Sequence, residues 1–254
     1  SKLIAGEKVG TGNGPAVDVA LMPVEGPTIV AKSEPNGLSV IAMAEGGQFL
    51  NFLELYMEKL AIGGGLPADL VDLDNEPADN LKALSQAKGV PVSDLVVCIL
   101  DRPRNGEIIA KTREAGARIM LIVDGDVSGV IATAWPKSGI DLYCGIGGAP
   151  QGVLSAAALA CVGGQMQGRL VIRDNAERQK IADAGIADPT QKFSIADMAS
   201  GNVTFAATGV TSGALLNGVT KVNNTAFTQS LVVRSQTGTL RYVEAYHQFG
   251  CADG

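Results

Sequence analysis

A single histidine leaves little room for imidazole chemistry. With His247 as the only such base, a Ser-His-Asp or Cys-His mechanism is argued against, and its strand-like surroundings suit a structural role. The four cysteines (Cys98, Cys144, Cys161 and Cys251) form no Cys-x-x-Cys pair and lack the histidines of a Cys/His zinc set. Three lie in apolar runs and read as buried free thiols, which points to a reducing compartment, cytoplasm or organelle matrix. Basic residues are also short, 20 Lys+Arg against 26 Asp+Glu for a formal charge of -6. That balance argues against a general nucleic-acid or membrane-surface binder. No apolar run approaches the ~20 residues that span a bilayer, and residues 1–8 do not read as a signal peptide. A soluble protein without membrane insertion is expected, whose hydrolytic chemistry, if any, runs on carboxylates, arginines and metals.

What is present suits a folded α/β protein. Of 254 residues, 46% are apolar and 18% charged, enough to bury a core. One large domain or two small ones fit this length. Residues 1–90 read as a mixed-sheet part and residues 91–254 as an α/β part. Asp79 is expected to cap a helix over residues 80–88 that Gly89 stops. Residues 95–100 form an apolar, β-branched run of strand length, followed by an amphipathic helix over residues 106–115. A second strand over residues 118–123 leads to Asp124-Gly125-Asp126 and a short helix over residues 127–135. A third strand over residues 140–144 precedes a glycine loop, Gly145 to Ala149, and an Ala-rich helix over residues 150–161. Three strand-loop-helix units with right-handed crossovers make these strands parallel, so their loops should emerge at one sheet edge. The flanks alternate short strands with turns, including a hairpin about Gln236-Thr237-Gly238, which requires more than one sheet layer.

Three loops then converge. Arg102 and Arg104 flank Pro103 and are either a bidentate phosphate or carboxylate clamp or a solvated pair. Asp124 and Asp126 either accept hydrogen bonds from sugar hydroxyls or hold a divalent ion, or Asp126 caps the next helix while Asp124 faces the ligand. The run Gly145-Ile146-Gly147-Gly148-Ala149-Pro150-Gln151-Gly152 opens a helix and suits an anion, or its glycines serve close packing. It is not the dinucleotide fingerprint, because Pro150 stands where the third glycine belongs, and no Walker lysine is present.

The run from Tyr143 through Gly152 resembles the class II fructose-1,6-bisphosphatases, the bacterial and cyanobacterial type. So do Gly6-Glu7-Lys8-Val9-Gly10, Tyr56-Met57-Glu58-Lys59-Leu60, Asp124-Gly125-Asp126, Gly164-Gln165-Met166-Gln167-Gly168-Arg169-Leu170 and Phe205-Ala206-Ala207-Thr208-Gly209-Val210-Thr211. The resemblance covers nearly the whole chain. It implies the layered αβαβα sandwich of the metal-dependent, lithium-sensitive phosphatases, and hydrolysis of fructose 1,6-bisphosphate or sedoheptulose 1,7-bisphosphate with Mg²⁺ or Mn²⁺. Substrate contacts carried over by motif fall on Glu25, Gly26, Tyr56, Arg102, Pro103, Arg104, Asp124, Gly125, Asp126 and Gly148.

The departures from the family pattern concern the metal. The family's Asp-Pro-x-Glu-Gly-Thr stands here as Met22-Pro23-Val24-Glu25-Gly26-Pro27, and its Gly-Gly-Ala-Pro-Glu ends in Gln151. The segment that carries the family's other metal carboxylates, ahead of Gly6, is expected to be missing, which leaves Glu25 as the one surviving metal ligand. A thioether and a carboxamide bring no charge to a hard cation. The expectation is a homologue with an impaired metal site and no metal cofactor, kept as a sugar-phosphate binder or structural subunit, in a homo-oligomer or larger assembly. The alternative is an active Mg²⁺- or Mn²⁺-dependent bisphosphatase. Phe52 and Leu53 beside Tyr56 hint at an altered surface.

Overall fold

The computed structural model describes residues 6–51 and 55–249; Phe52, Leu53 and Cys251 lie outside them. In chain order its strands are β1 (Val17–Glu25), β2 (Leu38–Glu45), β3 (Tyr56–Gly63), β4 (Val96–Leu100), β5 (Arg118–Ile122), β6 (Leu142–Gly148), β7 (Gly164–Val171), β8 (Phe193–Ser194), β9 (Thr204–Gly209), β10 (Thr220–Val222), β11 (Thr225–Arg234) and β12 (Thr239–Gln248). The helices are α1 (Pro27–Ala31), α2 (Pro77–Lys88), α3 (Gly106–Glu114), α4 (Asp126–Ala132), α5 (Ala149–Val162), α6 (Asn175–Asp183) and α7 (Ile195–Met198).

Two sheets form. The first runs β1-β2-β9-β11-β10, with β12 also paired to β11, and the second runs β5-β4-β6-β3-β7-β8. In the second, β4 is parallel to both β5 and β6, as the crossover argument requires. β3 enters antiparallel between β6 and β7. Both sheets therefore draw strands from residues 1–90 and 91–254: β1 and β2 form one end of the first sheet, and β3 sits between β6 and β7 in the second.

Side-chain periodicity explains the layering. On β3, Leu60 and Ile62 face one way and pack with Leu81 and Leu84 of α2 and Ile109 of α3. Met57 and Ala61 face the other way, toward α4 and α5. The Ala-rich α5 is apolar nearly all round because it is wedged between the sheets, and bare Gly152 lets the Met57 sulfur lie against it. Val40, Ala42, Phe205, Leu231 and Val233 of the first sheet close this core. The described residues thus stack as four layers, α2/α3, second sheet, α4/α5 and first sheet, within the expected sandwich architecture. On the far face of the first sheet Val17, Val19, Leu21 and Met43 are exposed.

Two local expectations need correction. α2 starts at Pro77, which suits the first turn, and Asp79 lies inside that turn rather than capping it. Gly89, at φ 66°, ends it as expected. The third strand does not stop at Cys144: Gly145 to Gly148 continue β6 and pair with Tyr56 to Lys59 of β3. The hairpin between β11 and β12 forms about residues 236–238.

Candidate functional site

The parallel strands deliver their following loops to one edge, where a cleft of about 490 Å³ opens. Its basic wall is built on the turn after β4. Asn105 is buried there, donating to the Leu100 carbonyl at 2.9 Å and accepting from the Ile146 amide at 2.7 Å, which ties the turn to β6. Arg104 donates from Nε to the Ile146 carbonyl at 2.9 Å, and its guanidinium carbon sits 4.7 Å from the centre of the Tyr56 ring. Arg102 donates to the Asp101 carbonyl at 3.0 Å. Pro103 opens the short 3₁₀ turn between the two arginines.

The acidic wall gathers Glu25, Asp124 and Asp126. Gly26 (φ 84°) and Gly125 (φ 88°) precede α1 and α4 in left-handed conformations that favour glycine. They turn the two helix starts toward each other: Asp124 accepts the Thr28 amide at 3.2 Å, and Glu25 Oε1 accepts the Val127 amide at 3.1 Å. The other oxygen of Glu25, Oε2, is buried without a partner. Burial pushes the Glu25 carboxyl up to about 8, against the Val127 amide, which favours its charged form; Asp126 and Asp124 add to the rise. Asp126 is bound on both oxygens, the Tyr143 hydroxyl donating to Oδ1 and the Lys59 ammonium pairing with Oδ2. Lys59 is fully buried, and desolvation lowers its pKa against the pull of Asp126. Burial likewise raises Tyr143 well above the usual phenol range, with Asp126 second.

The ten substrate positions carried over by motif all line this cleft or flank it directly. Glu25, Gly26, Tyr56, Arg102, Arg104, Asp124, Asp126 and Gly148 are on its surface, beside Met22 and Gln151. Pro103 and Gly125 lie between lining residues. Two readings fail. Asp126 does not cap α4, whose N-cap is Gly125; the Val127 amide of α4 goes to Glu25, and Asp124 accepts an amide of α1. The glycine run is not a free-amide cradle either, because it is ladder-paired strand. Its glycines make room for side chains: a Cβ on Gly147 would collide with Asp126 Oδ2, and one on Gly148 with the Gln151 amide.

His247 is an exposed strand residue bonded to Thr228 at 2.9 Å, far in role from the cleft. Cys98 and Cys144 are buried free thiols, and burial drives the Cys98 pKa up to about 12. No helix among the described residues is long and apolar enough to cross a membrane. Lys59, Tyr143 and Arg173 were not singled out from the sequence. A charged residue directly before the apolar run Leu60-Ala61-Ile62 was a usable signal for Lys59. For Arg173, 117 positions beyond Tyr56 in the chain, no local signal exists.

The donors among the described residues do not fit a multi-metal phosphatase centre. Met22 and Gln151 are neutral, both oxygens of Asp126 have internal partners, and burial favours the protonated form of Glu25. Among the described residues no three His, Cys, Asp or Glu side chains are grouped to hold a metal ion.

Comparison with known proteins places this geometry. A family described as bacterial fructose-1,6-bisphosphatase, glpX-encoded, matches residues 1–247. Fructose-1,6-bisphosphatase 1 class 2 of Escherichia coli (strain K12) is 42% identical across 96% of this chain and 76% of its own length. Fructose-1,6-bisphosphatase class 2 of Shigella flexneri matches with the same identity and coverage.

Proposed function

Because this chain belongs to the glpX-encoded family of bacterial fructose-1,6-bisphosphatases, we propose that its cleft keeps sugar-bisphosphate recognition and has lost the metal centre that hydrolysis uses. The observation that carries this reading is the acidic wall, where Asp126 is neutralised by Lys59 and the Met22 and Gln151 side chains carry no charge. A hard divalent cation is held by charged oxygens. Losing one preorganised charge-stabilising group slows such a reaction by ~10²–10³, and here several positions are altered together.

The basic wall supports the binding half of the proposal. Arg104, tied to the Ile146 carbonyl and stacked on Tyr56, is held in a defined plane. Planar guanidiniums bind phosphate oxygens in bidentate fashion. Fructose 1,6-bisphosphate is the proposed ligand, with sedoheptulose 1,7-bisphosphate as its longer counterpart. In this reading the chain is a binder or structural subunit, and the exposed apolar row on the first sheet supports its place in a homo-oligomer or larger assembly.

One observation favours a second reading. The unpartnered Glu25 Oε2 is a buried oxygen that a cation would satisfy, so an active Mg²⁺- or Mn²⁺-dependent bisphosphatase would need its remaining carboxylates from outside the described residues. Phosphate release from fructose 1,6-bisphosphate with either metal separates the two. A rate at least ~10²-fold below that of the Escherichia coli relative is expected; turnover within tenfold of it establishes the second reading. Binding is read separately by thermal shift, where ligand at a hundred times its Kd stabilises by about 2.7 kcal/mol.

A further inference from the structure

Arg173 stands between β7 and α6 and reaches the cleft from a segment that the sequence did not connect with it. Its grip is unusual for a half-exposed arginine. Glu177, buried to 4% exposure, accepts the Arg173 main-chain amide on Oε2 at 2.8 Å. The other oxygen, Oε1, accepts Arg173 Nε at 2.8 Å and also its Nη2. Asp174 caps α6 by accepting the Glu177 amide at 2.8 Å, so the carboxylate is itself anchored. The Arg173 guanidinium carbon lies 4.6 Å from the centre of the same Tyr56 ring on which Arg104 stacks. A long side chain held at this many points has already lost its rotamer entropy, and so loses little more when it binds.

The charges on the basic side of the cleft do not balance. Arg104 and Arg173 stack on the Tyr56 ring and Arg102 lines the same cleft, while among the described residues Glu177 is the one carboxylate ion-paired with any of the three; Arg102 and Arg104 rest on backbone carbonyls. Like charges gathered on one wall repel, and an anion seated among them relieves that repulsion. A phosphate dianion matches the two unbalanced charges.

We propose that Arg173 is a third phosphate ligand of this cleft, acting with Arg102 and Arg104, and that Glu177 is the positioning residue that sets its plane. The identity of the ligand rests on the sugar-bisphosphate reading above; the anion site itself does not.

Calorimetric titration of the intact chain with inorganic phosphate and, separately, with fructose 1,6-bisphosphate tests this. R173A is expected to weaken both by roughly tenfold or more, the usual effect of losing a charged hydrogen-bond partner. R173K recovers only part, because an ammonium lacks the planar fork. E177Q is expected to weaken phosphate binding by roughly threefold in the natural background and to have no further effect once Arg173 is alanine. That coupling distinguishes positioning from a merely structural role. The double variant R173A/E177Q removes the buried carboxylate that R173A would leave alone, so a binding loss that persists in it at unchanged melting temperature supports the assignment. If R173A binds both ligands as the natural chain does while R104A does not, the inference is wrong and the sugar-bisphosphate reading stands. If phosphate binds and is lost in R173A but the sugar bisphosphate never binds, the anion site stands and that reading falls. Failure of the natural chain to bind either ligand overturns both.

Discussion

The two walls of the cleft differ in where their charges go. On the basic side, Arg104 and Arg102 direct their hydrogen bonds to backbone carbonyls rather than to carboxylates, so their charge is available to a ligand. On the acidic side, Asp126 is engaged by Lys59 and Tyr143, and Glu25 is buried so deeply that its proton is favoured up to about pH 8. Both walls are lined by ionisable groups, yet on the acidic one Asp126 and Glu25 are taken up by the interior, which leaves Asp124. Counting carboxylates in a pocket therefore says little about cation binding until their internal partners are known.

The largest test of that contrast is Lys59→Met, which strands Asp126 in the protein interior. Breaking one side of a buried ion pair typically costs about 3–5 kcal/mol, and urea unfolding should show a loss in that range. Lys59→Met combined with Asp126→Asn should regain much of it. A single variant as stable as the natural chain would mean that the pair is not the organising contact of the acidic wall.

Next in size is the attempt to rebuild the acidic side. Met22→Asp with Gln151→Glu places two charges beside Glu25, and Mn²⁺ affinity should rise by roughly tenfold or more by titration calorimetry. Equal affinity before and after would show that these two positions do not control cation binding.

A smaller effect concerns Glu25 itself, measured in EDTA. Its folded-state pKa of about 8 lies above the ordinary 4.5, so between those values the folded chain holds a proton that the unfolded chain has released. Stability from this group is complete below about pH 4.5, declines as pH rises toward 8, and is gone above it. Glu25→Gln should flatten that decline and raise the melting temperature at pH 9 by roughly 2–4 °C or more. Mn²⁺ that flattens the natural profile equally well would favour the second functional reading.

The smallest expected effect is on the basic side. Tyr56→Leu removes the ring shared by Arg104 and Arg173, each contact worth about 0.5–1 kcal/mol. Affinity for fructose 1,6-bisphosphate should fall by roughly threefold to tenfold with little change in melting temperature. No change in affinity would show that the stack does not organise the arginines.

Much of the scaffold was legible beforehand. The apolar run before Asp101, the amphipathic helix after it and the next two strands follow from local periodicity, and right-handed crossovers then force the three loops to one edge. The loops of Arg102 and Arg104, of Asp124 and Asp126, and of Gly148 could be named from the sequence for that reason, whereas Glu25, Gly26 and Tyr56 came from the family resemblance. The glycines from Gly145 to Gly148 were harder, since glycine serves a free-amide loop and a crowded strand equally well. Only the approach of Asp126 and Gln151 shows which applies. The capping role read for Asp126 did not survive, because its side chain pairs with Lys59, 67 positions away.

By itself the sequence determined the family, the order of strands and helices, and the loops that meet at the cleft, because those depend on patterns within short stretches and on the handedness of their connections. The tertiary structure alone decided which charges are neutralised inside the protein and which face the solvent. Charge pairing depends on distance and burial in three dimensions, and neither Lys59 with Asp126 nor Arg173 with Tyr56 is close along the chain.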